Sequence, residues 1–337
     1  MRVFVVAEIG SVHDGSFGNA KQAVFLAKQC GADAVKFQVH ISAAETLKTA
    51  PAPSYFNTER RWDYFKRTAF TLAQWKEIKT FCDETGIEFM ASPFSEEAVE
   101  LMRKVGMRVW KIPSGEVTNL PLLKKIASYG QYVILSSGMS SWEELDKAVK
   151  VIRSANSKCK TTILQCTSEY PCPYERVGLN IMEQMAKRFE LSVGLSDHTL
   201  DIFVPIVAVS RGASVIEKHL TFSRSMYGSD ARHSLEPEDF AQMVKGIRVA
   251  EKILASPIDK DKVLKRYRKM KKIFQKSIVA SSDLPAGRRL VREDLDFKKP
   301  GTGISAADAD FVIGKTLARA VRKDQMLSRR DFSNHWR

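Results

Sequence analysis

The amino-acid sequence predicts an α/β fold: a (β/α)8 TIM barrel over residues 1–258, a basic linker over 259–276 and a small β-rich domain over 277–337. Three observations lead there. Eight short apolar runs recur at near-regular intervals, and amphipathic helical stretches separate them. After residue 277 the texture changes to brief β-like runs broken by turn signals such as Pro285-Ala286-Gly287 and Pro300-Gly301-Thr302-Gly303. Buried parallel strands read as continuous apolar runs because helices cover the sheet. Eight of them in βα alternation close into a barrel, whose chemistry sits where the strands end.

The runs are Val3–Ala7, Asp33–Phe37, Ile87–Ala91, Arg108–Ile112, Tyr132–Leu135, Thr161–Gln165, Leu191–Leu195 and Ser214–Ile216. Between them, Asn19–Cys30 carries apolar residues at helical spacing (Ala20, Ala23, Val24, Ala27). Leu72–Thr85 ends at Gly86, a C-terminal helix stop. Ser140 with Glu143 fits a capping box for the helix through Ser154. Glu236–Leu254 reads as the last long helix of the barrel. One connection is abnormal: residues 40–70 lack a clear period and hold Pro51, Pro53, Tyr55, Phe56, Arg60, Arg61, Trp62 and Tyr64. Loops of this length are functional or disordered; the aromatic and arginine content favours an ordered lid over disorder, with a surface excursion packed on neighbouring helices as the alternative. In the small domain, Leu290-Val291-Arg292-Glu293-Asp294-Leu295 echoes Leu327-Ser328-Arg329-Arg330-Asp331-Phe332, which suggests two related halves.

With 337 residues, 44% hydrophobic and 27% charged, the chain can bury a large core. No apolar run approaches the roughly 20 residues needed to span a bilayer. Glu8 interrupts the N-terminal run too early for a signal peptide, so that run is read as the first strand. The five cysteines are odd in number and form no C-x-x-C pair, which disfavours a disulfide framework or structural zinc and points to a reducing cytoplasm. Of the net charge of +14, residues 259–276 supply +7, from nine Lys/Arg and two Asp. This reads as a solvated linker helix rather than a polyanion site, although positive potential also helps attract a phosphorylated substrate.

The ends of the apolar runs carry the candidate chemistry. His198 and His219 follow the seventh and eighth runs, which places two imidazoles side by side; with water and substrate oxygens they suit a divalent metal with open positions. Lys36 and Lys111 lie among apolar residues, where a lysine is costly unless an anion meets it. Ser92, Ser114, Ser136, Ser168 and Ser196 recur at comparable places and, with the lysines, make a seat for phosphate and carboxylate. A Schiff-base role for either lysine is the rival, disfavoured because a neighbouring anion keeps the amine protonated. Glu8, Glu116 and Glu217 share the same face, where carboxylates can act as bases or orient other groups. Asp230 and His233 lie in a glycine-bearing loop after the eighth run, able to contact a polar substrate or simply to form a turn.

Together these stretches resemble the sialic acid synthase family, which includes synthases for N-acetylneuraminate, legionaminate and pseudaminate. The matching segments are AEIGSVHDG (7–15), GADAVKFQ (31–38), SPFSEEAVE (92–100), KIPSGEVTNLPLL (111–123), SSGM (136–139), LQCTSEYPCPYE (164–175), GLSDHT (194–199), EKHLT (217–221) and GSDARHSLEP (228–237). Residues 277–332 resemble the antifreeze-like (SAF) domain joined to these barrels. KIPSGE, GLSDHT and EKH in this order are highly specific.

The resemblance implies a metal-dependent condensation of phosphoenolpyruvate with an N-acetylated hexosamine of the N-acetylmannosamine type, giving a nine-carbon sialic acid and phosphate by C–O cleavage. The alternative acceptor is a 2,4-diacetamido-2,4,6-trideoxyhexose, as in legionaminic or pseudaminic acid synthesis. By motif, Mn2+ or Mg2+ sits on His198 and His219; the anion meets Lys36, Ser92, Lys111, Ser114, Ser136, Ser168 and Ser196. Glu8 is the leading base, Glu116 supports proton transfer, and Gln38, Tyr170 and Asp230 bind the sugar. The family pattern is a domain-swapped homodimer, and the linker over 259–276 fits a tether that carries the small domain across. Four positions depart from the pattern. Val12 replaces a common asparagine, Ser92 a usual threonine, and Ser168 a residue that is asparagine in some members. Lys299 stands where many members place an arginine that reaches the partner's substrate, and lysine cannot reproduce the planar fork. A Schiff-base aldolase and a non-catalytic sugar- or polyanion-binding protein are the readings from other classes.

Overall fold

The computed structural model describes residues 2–51 and 59–333. The chain divides into two compact units, Met1–Ser256 and Pro257–Arg337. In the first, eight parallel strands close into a barrel in sequential order: β1 (Phe4–Gly10), β2 (Ala34–Val39), β3 (Glu88–Pro93), β4 (Val109–Ile112), β5 (Tyr132–Ser136), β6 (Thr161–Cys166), β7 (Ser192–Asp197) and β8 (Val215–His219). All eight expected runs fall on these strands. The strands extend further than the apolar runs, however, so Glu8, Gln38, Ser92, Ser136, Ser196 and His219 lie within strands rather than beyond them.

Successive strand residues face opposite sides, and here each side is apolar for most of its length. Outward residues such as Val35, Phe37, Phe89, Trp110 and Leu135 join the helices in one core. Inward residues Val6, Ala34, Met90, Ile134, Leu164 and Val215 form a separate buried cluster that plugs the barrel. Gly194 of β7 faces that plug: a Cβ there would lie 2.3 Å from the Val215 carbonyl oxygen and 2.7 Å from Leu164 Cδ2. Glycine is what lets β7 and β8 approach around Leu164.

The helices start and stop as their ends require. Ser16 accepts from the Asn19 N–H and opens Phe17–Gln29. Gly86, in the left-handed region at φ 70°, closes Leu72–Thr85. The helix Trp142–Ala155 is boxed by Ser141 and Glu144, one residue beyond the expected Ser140 and Glu143. Ser-Ser followed by Glu-Glu offers the same spacing twice, and the backbone chooses the second. Among the described residues of the long second connection, Ser42–Glu45 and Arg61–Thr68 are helices, the latter burying Tyr64, Phe65 and Thr68. Pro53, Tyr55 and Phe56 of that connection lie outside the described residues.

In the second unit, Ser277–Ala280 (β9) pairs antiparallel with Leu295–Lys298 (β10). The run expected at Leu317–Val321 contributes isolated bridges, Leu317 to Phe332 and Leu284 to Val321, not a full strand. The internal echo is structural. Arg292–Asp294 and Arg329–Asp331 are matching 3-10 turns. Each buries its aspartate as acceptor for the N–H three residues back, at 3.0 Å for Val291 and 2.7 Å for Ser328. The basic stretch belongs to this unit. It forms helices Lys260–Val263 and Arg268–Phe274, and its Lys272 and Lys276 carbonyls accept from the Gly301 and Ala306 N–H groups.

Gly194→Ala is expected to destabilise the barrel by ~2 kcal/mol or more, since neither the Val215 backbone nor packed Leu164 can yield cheaply. Chemical denaturation of the variant, with unchanged m-value, checks this.

Candidate active site

Above the apolar plug, every strand contributes one polar side chain: Glu8, Lys36, Ser92, Lys111, Ser136, Cys166, Ser196 and Glu217. All are buried. Lys36 Nζ lies 2.8 Å from Glu8 Oε2, 3.8 Å from Glu217 Oε2 and donates to Ser92 Oγ at 3.1 Å. Lys111 Nζ donates to Ser136 Oγ at 2.7 Å and lies 3.5 Å from Glu217 Oε1. Ser196 donates to that same Glu217 oxygen at 2.9 Å. Two ammonium groups therefore face two carboxylates. The expected cationic seat is charge-balanced, because burying like charges without partners is prohibitive. Burial opposes the Lys36 charge, yet Glu217 and Glu8 outweigh it and hold the ammonium above its ordinary range. Lys111, desolvated and repelled by Lys36, is pulled below it despite Glu217. Burial alone would raise Glu217, but Lys111 and Lys36 hold it well below the usual carboxylate range.

At the mouth, His198 and His219 have ring centroids 5.8 Å apart. The His198 Nδ1 lies 2.7 Å from the Thr167 carbonyl, which can only accept, so the proton sits on Nδ1 and the Nε2 lone pair faces the site. Burial and the neighbouring His219 lower its pKa to about 3, so the ring is neutral at ordinary pH. The His219 Nδ1 is buried with no hydrogen-bond partner. The neutral, oriented His198 ring beside a buried, unsatisfied His219 nitrogen fits a divalent cation. Among the described residues no third His, Cys, Asp or Glu completes a protein-only metal cage, so other positions would fall to water or substrate. Tyr170 OH sits 3.1 Å from His198 Nε2 and packs on that ring.

The remaining predicted residues of the first unit gather at the same mouth. Gly10, at φ 54°, leaves room where a Cβ would strike Asp230 Oδ2 at 2.3 Å and Gln38 Nε2 at 3.2 Å. This lets Asp230 reach the β1 end and accept from Ser11 N–H and Oγ at 2.9 and 3.0 Å. Gln38 Nε2 donates to Glu8 Oε1 at 2.9 Å. Ser114 and Ser168 meet over Gly138, whose missing Cβ would lie 2.6 and 2.5 Å from their hydroxyls. Glu116, on the 3-10 turn Ser114–Glu116, is half-buried; burial pushes its carboxyl up although Asn119 donates to it. Lys299 belongs to the second unit, its Nζ 5.1 Å from the Phe274 ring centre.

Sequence reasoning noticed Glu217 without seeing that it joins both lysines, and it missed Cys166. Inward parity was the available signal: Cys166 stands two residues beyond Leu164 of the plug, as Glu217 stands two beyond Val215.

Comparison with known proteins agrees with this geometry. The NeuB family profile matches residues 23–259, and the SAF domain profile matches residues 275–333. The chain belongs to the NeuB family. The N,N'-diacetyllegionaminic acid synthase of Campylobacter jejuni is 35% identical over 97% of this chain and 99% of that protein. The enzyme of the same name from Legionella pneumophila is 35% identical over 94% of this chain and 91% of its own length. A solved N-acetylneuraminic acid synthetase from Leptospira borgpetersenii, in complex with citrate, superposes with a TM-score of 0.70 at 29% identity, covering 80% of this chain and 92% of that one. The sialic, legionaminic and pseudaminic acid synthases thus form the family to which this barrel and SAF domain belong. Among the described residues no helix is long and apolar enough to cross a membrane.

On the outer side of the NeuB barrel, directly behind the histidines, lies a buried ion pair. Lys218 Nζ is 2.5 Å from Asp197 Oδ2 and donates to the Thr199 carbonyl at 2.5 Å and its hydroxyl at 3.1 Å. Each charged residue adjoins a site histidine in sequence, so the pair locks the β7 and β8 rims together. Lys218→Met, which strands Asp197, is expected to cost ~3–5 kcal/mol in denaturant unfolding. His13 offers a second test. Buried against Phe70, it is pulled down to about 4 by desolvation, with Asp230 opposing. Its unfolded pKa is about 6.5, so below that pH the unfolded chain binds the proton first, and stability drops as pH falls from about 6.5 to about 4. Stability curves for His13→Asn should lose up to ~1.4 kcal/mol per pH unit of slope in that window.

Proposed function

We propose that the chain condenses phosphoenolpyruvate with the open-chain aldehyde of a 2,4-diacetamido-2,4,6-trideoxyhexose, giving a legionaminic-type nine-carbon acid and phosphate. The polar layer that joins Lys36, Lys111, Glu8 and Glu217 beside the His198–His219 pair carries this reading. The acceptor follows the two 35%-identical legionaminic acid synthases in preference to the N-acetylmannosamine read from the motifs.

In this reaction C3 of phosphoenolpyruvate attacks the aldehyde carbon, water adds at C2, and the C2–O bond to phosphate breaks. Lys36 and Lys111, with the hydroxyls of Ser92, Ser114, Ser136, Ser168 and Ser196, hold the phosphate and carboxylate and stabilise the departing phosphate. Each lysine has three donors, so an anion at the mouth can be met while the pairing beneath is kept. Gln38, Tyr170 and Asp230 bind the amino sugar. Glu116, whose carboxyl is raised by burial, supplies the proton to the developing alkoxide, and Glu8 takes the proton from the adding water. A manganese or magnesium ion held by His198 and His219 supplies Lewis-acid polarisation of the aldehyde when bound. The partner-borne role of Lys299 and the homodimer enter as expectations of the resemblance.

The test supplies phosphoenolpyruvate and Mn2+ with a panel containing the 2,4-diacetamido-trideoxy sugars and N-acetylmannosamine, and follows phosphate release and product mass. The trideoxy sugar with the legionaminic configuration is expected to give the highest kcat/KM; absence of turnover across the panel rejects the reading. Borohydride should trap no lysine adduct. A trapped Lys111, the lysine whose neutral form burial favours, would favour a Schiff-base aldolase instead.

A further inference from the structure

Behind the sugar-facing end of β2 lies a group that this chemistry has not used. His40 is buried, and its ring is sandwiched between Phe65 (centroids 3.6 Å apart, planes at 5°) and Phe94 (4.2 Å, 21°). Its two nitrogens are both engaged. Nδ1 lies 2.8 Å from Glu45 Oε1, and Nε2 lies 3.1 Å from Gln38 Oε1. Gln38 in turn donates from Nε2 to Glu8 Oε1 at 2.9 Å, and the other Glu8 oxygen is 2.8 Å from Lys36.

The donors and acceptors along this chain can be assigned from their chemistry. The Glu8 carboxylate, paired with an ammonium, only accepts, so Gln38 must present its NH2 to it. The amide oxygen of Gln38 then points the other way and needs a donor, which is the Nε2–H of His40. Were that donor absent, the buried oxygen would lack a partner, and the amide, held at one end only, would swing away from Glu8 to find another. The ring that supplies the donor is itself placed by the long second connection, through Glu45 of Ser42–Glu45 and Phe65 of Arg61–Thr68.

We propose that His40 is a positioning residue: it fixes the Gln38 amide in the orientation that serves Glu8 and the amino sugar, and it makes that orientation depend on the seating of Arg61–Thr68. The proposal rests on the functional reading above for what Gln38 and Glu8 do, and on geometry alone for how His40 holds them.

Four variants test it. His40→Phe keeps the stack and removes both ring nitrogens. Gln places its amide nitrogen where Nε2 stands, and Asn places its own where Nδ1 stands, so H40Q keeps a donor toward Gln38 whereas H40N presents one only toward Glu45. With thermal unfolding as the control for folding, H40F is expected to lower kcat/KM for the amino sugar about ten- to hundredfold. H40Q should retain more activity than H40N, and H40F/Q38L should be no worse than Q38L alone, because His40 acts through Gln38. Additive losses, or H40N matching H40Q, overturn the proposal; if H40F does not fold, the H40Q and H40N comparison decides. A crystal structure of H40Q or H40F reads the same point without turnover. Gln38 Nε2 should leave Glu8 in H40F and stay in H40Q, and an unmoved amide in H40F overturns the proposal. Failure of the wild-type enzyme on the sugar panel would instead reject the functional reading.

Discussion

Glu217 lies between Lys36 and Lys111, 3.8 and 3.5 Å from their ammonium groups, at a level of the barrel where almost no water reaches. Two lysines so placed would repel each other and lose their hydration without return; one carboxylate shared between them, with Glu8 of the neighbouring β1 also paired to Lys36, makes the burial tolerable. The layer beneath must then be dry and tightly filled, and the layer above can be polar without flooding the core. The mouth of the barrel can carry polar side chains because the layer under it is electrostatically balanced.

The balance also changes how anion binding is understood. A seat made only of ammonium groups and hydroxyls would hold phosphate simply by charge. Here each lysine is already paired with a carboxylate of the same layer, so under the proposed reaction an anion would be met by their remaining donors and by the serines. Such a ring would discriminate by geometry as much as by charge.

Two further constraints hold the mouth in register. Outside the barrel, the Lys218–Asp197 pair joins β7 to β8 immediately behind His198 and His219. Inside, Gly10 leaves the space through which Asp230 reaches β1. On the β2 side the second connection, folded into Ser42–Glu45 and Arg61–Thr68, presses Phe65 on His40 and so reaches Gln38 and Glu8 through hydrogen bonds. Residues distant in sequence thus set the angle of the groups at the mouth.

The strands and the chemistry at their ends were legible in the sequence, because period and polarity are local: a buried apolar run ending in Glu8, Lys36 or His219 can be read without knowing its neighbours. Helix stops such as Gly86 were legible for the same reason, whereas the Ser141–Glu144 box was ambiguous between two adjacent pairs. Partnership was not legible. That Glu217 joins two lysines, that Cys166 completes the inner ring and that His40 braces Gln38 depend on strand register and loop seating. The sequence by itself determined the barrel, the SAF-type domain and the inventory of reactive groups. Only the tertiary structure decided which group faces which, because contacts between strands are set by closure of the ring and not by any segment alone.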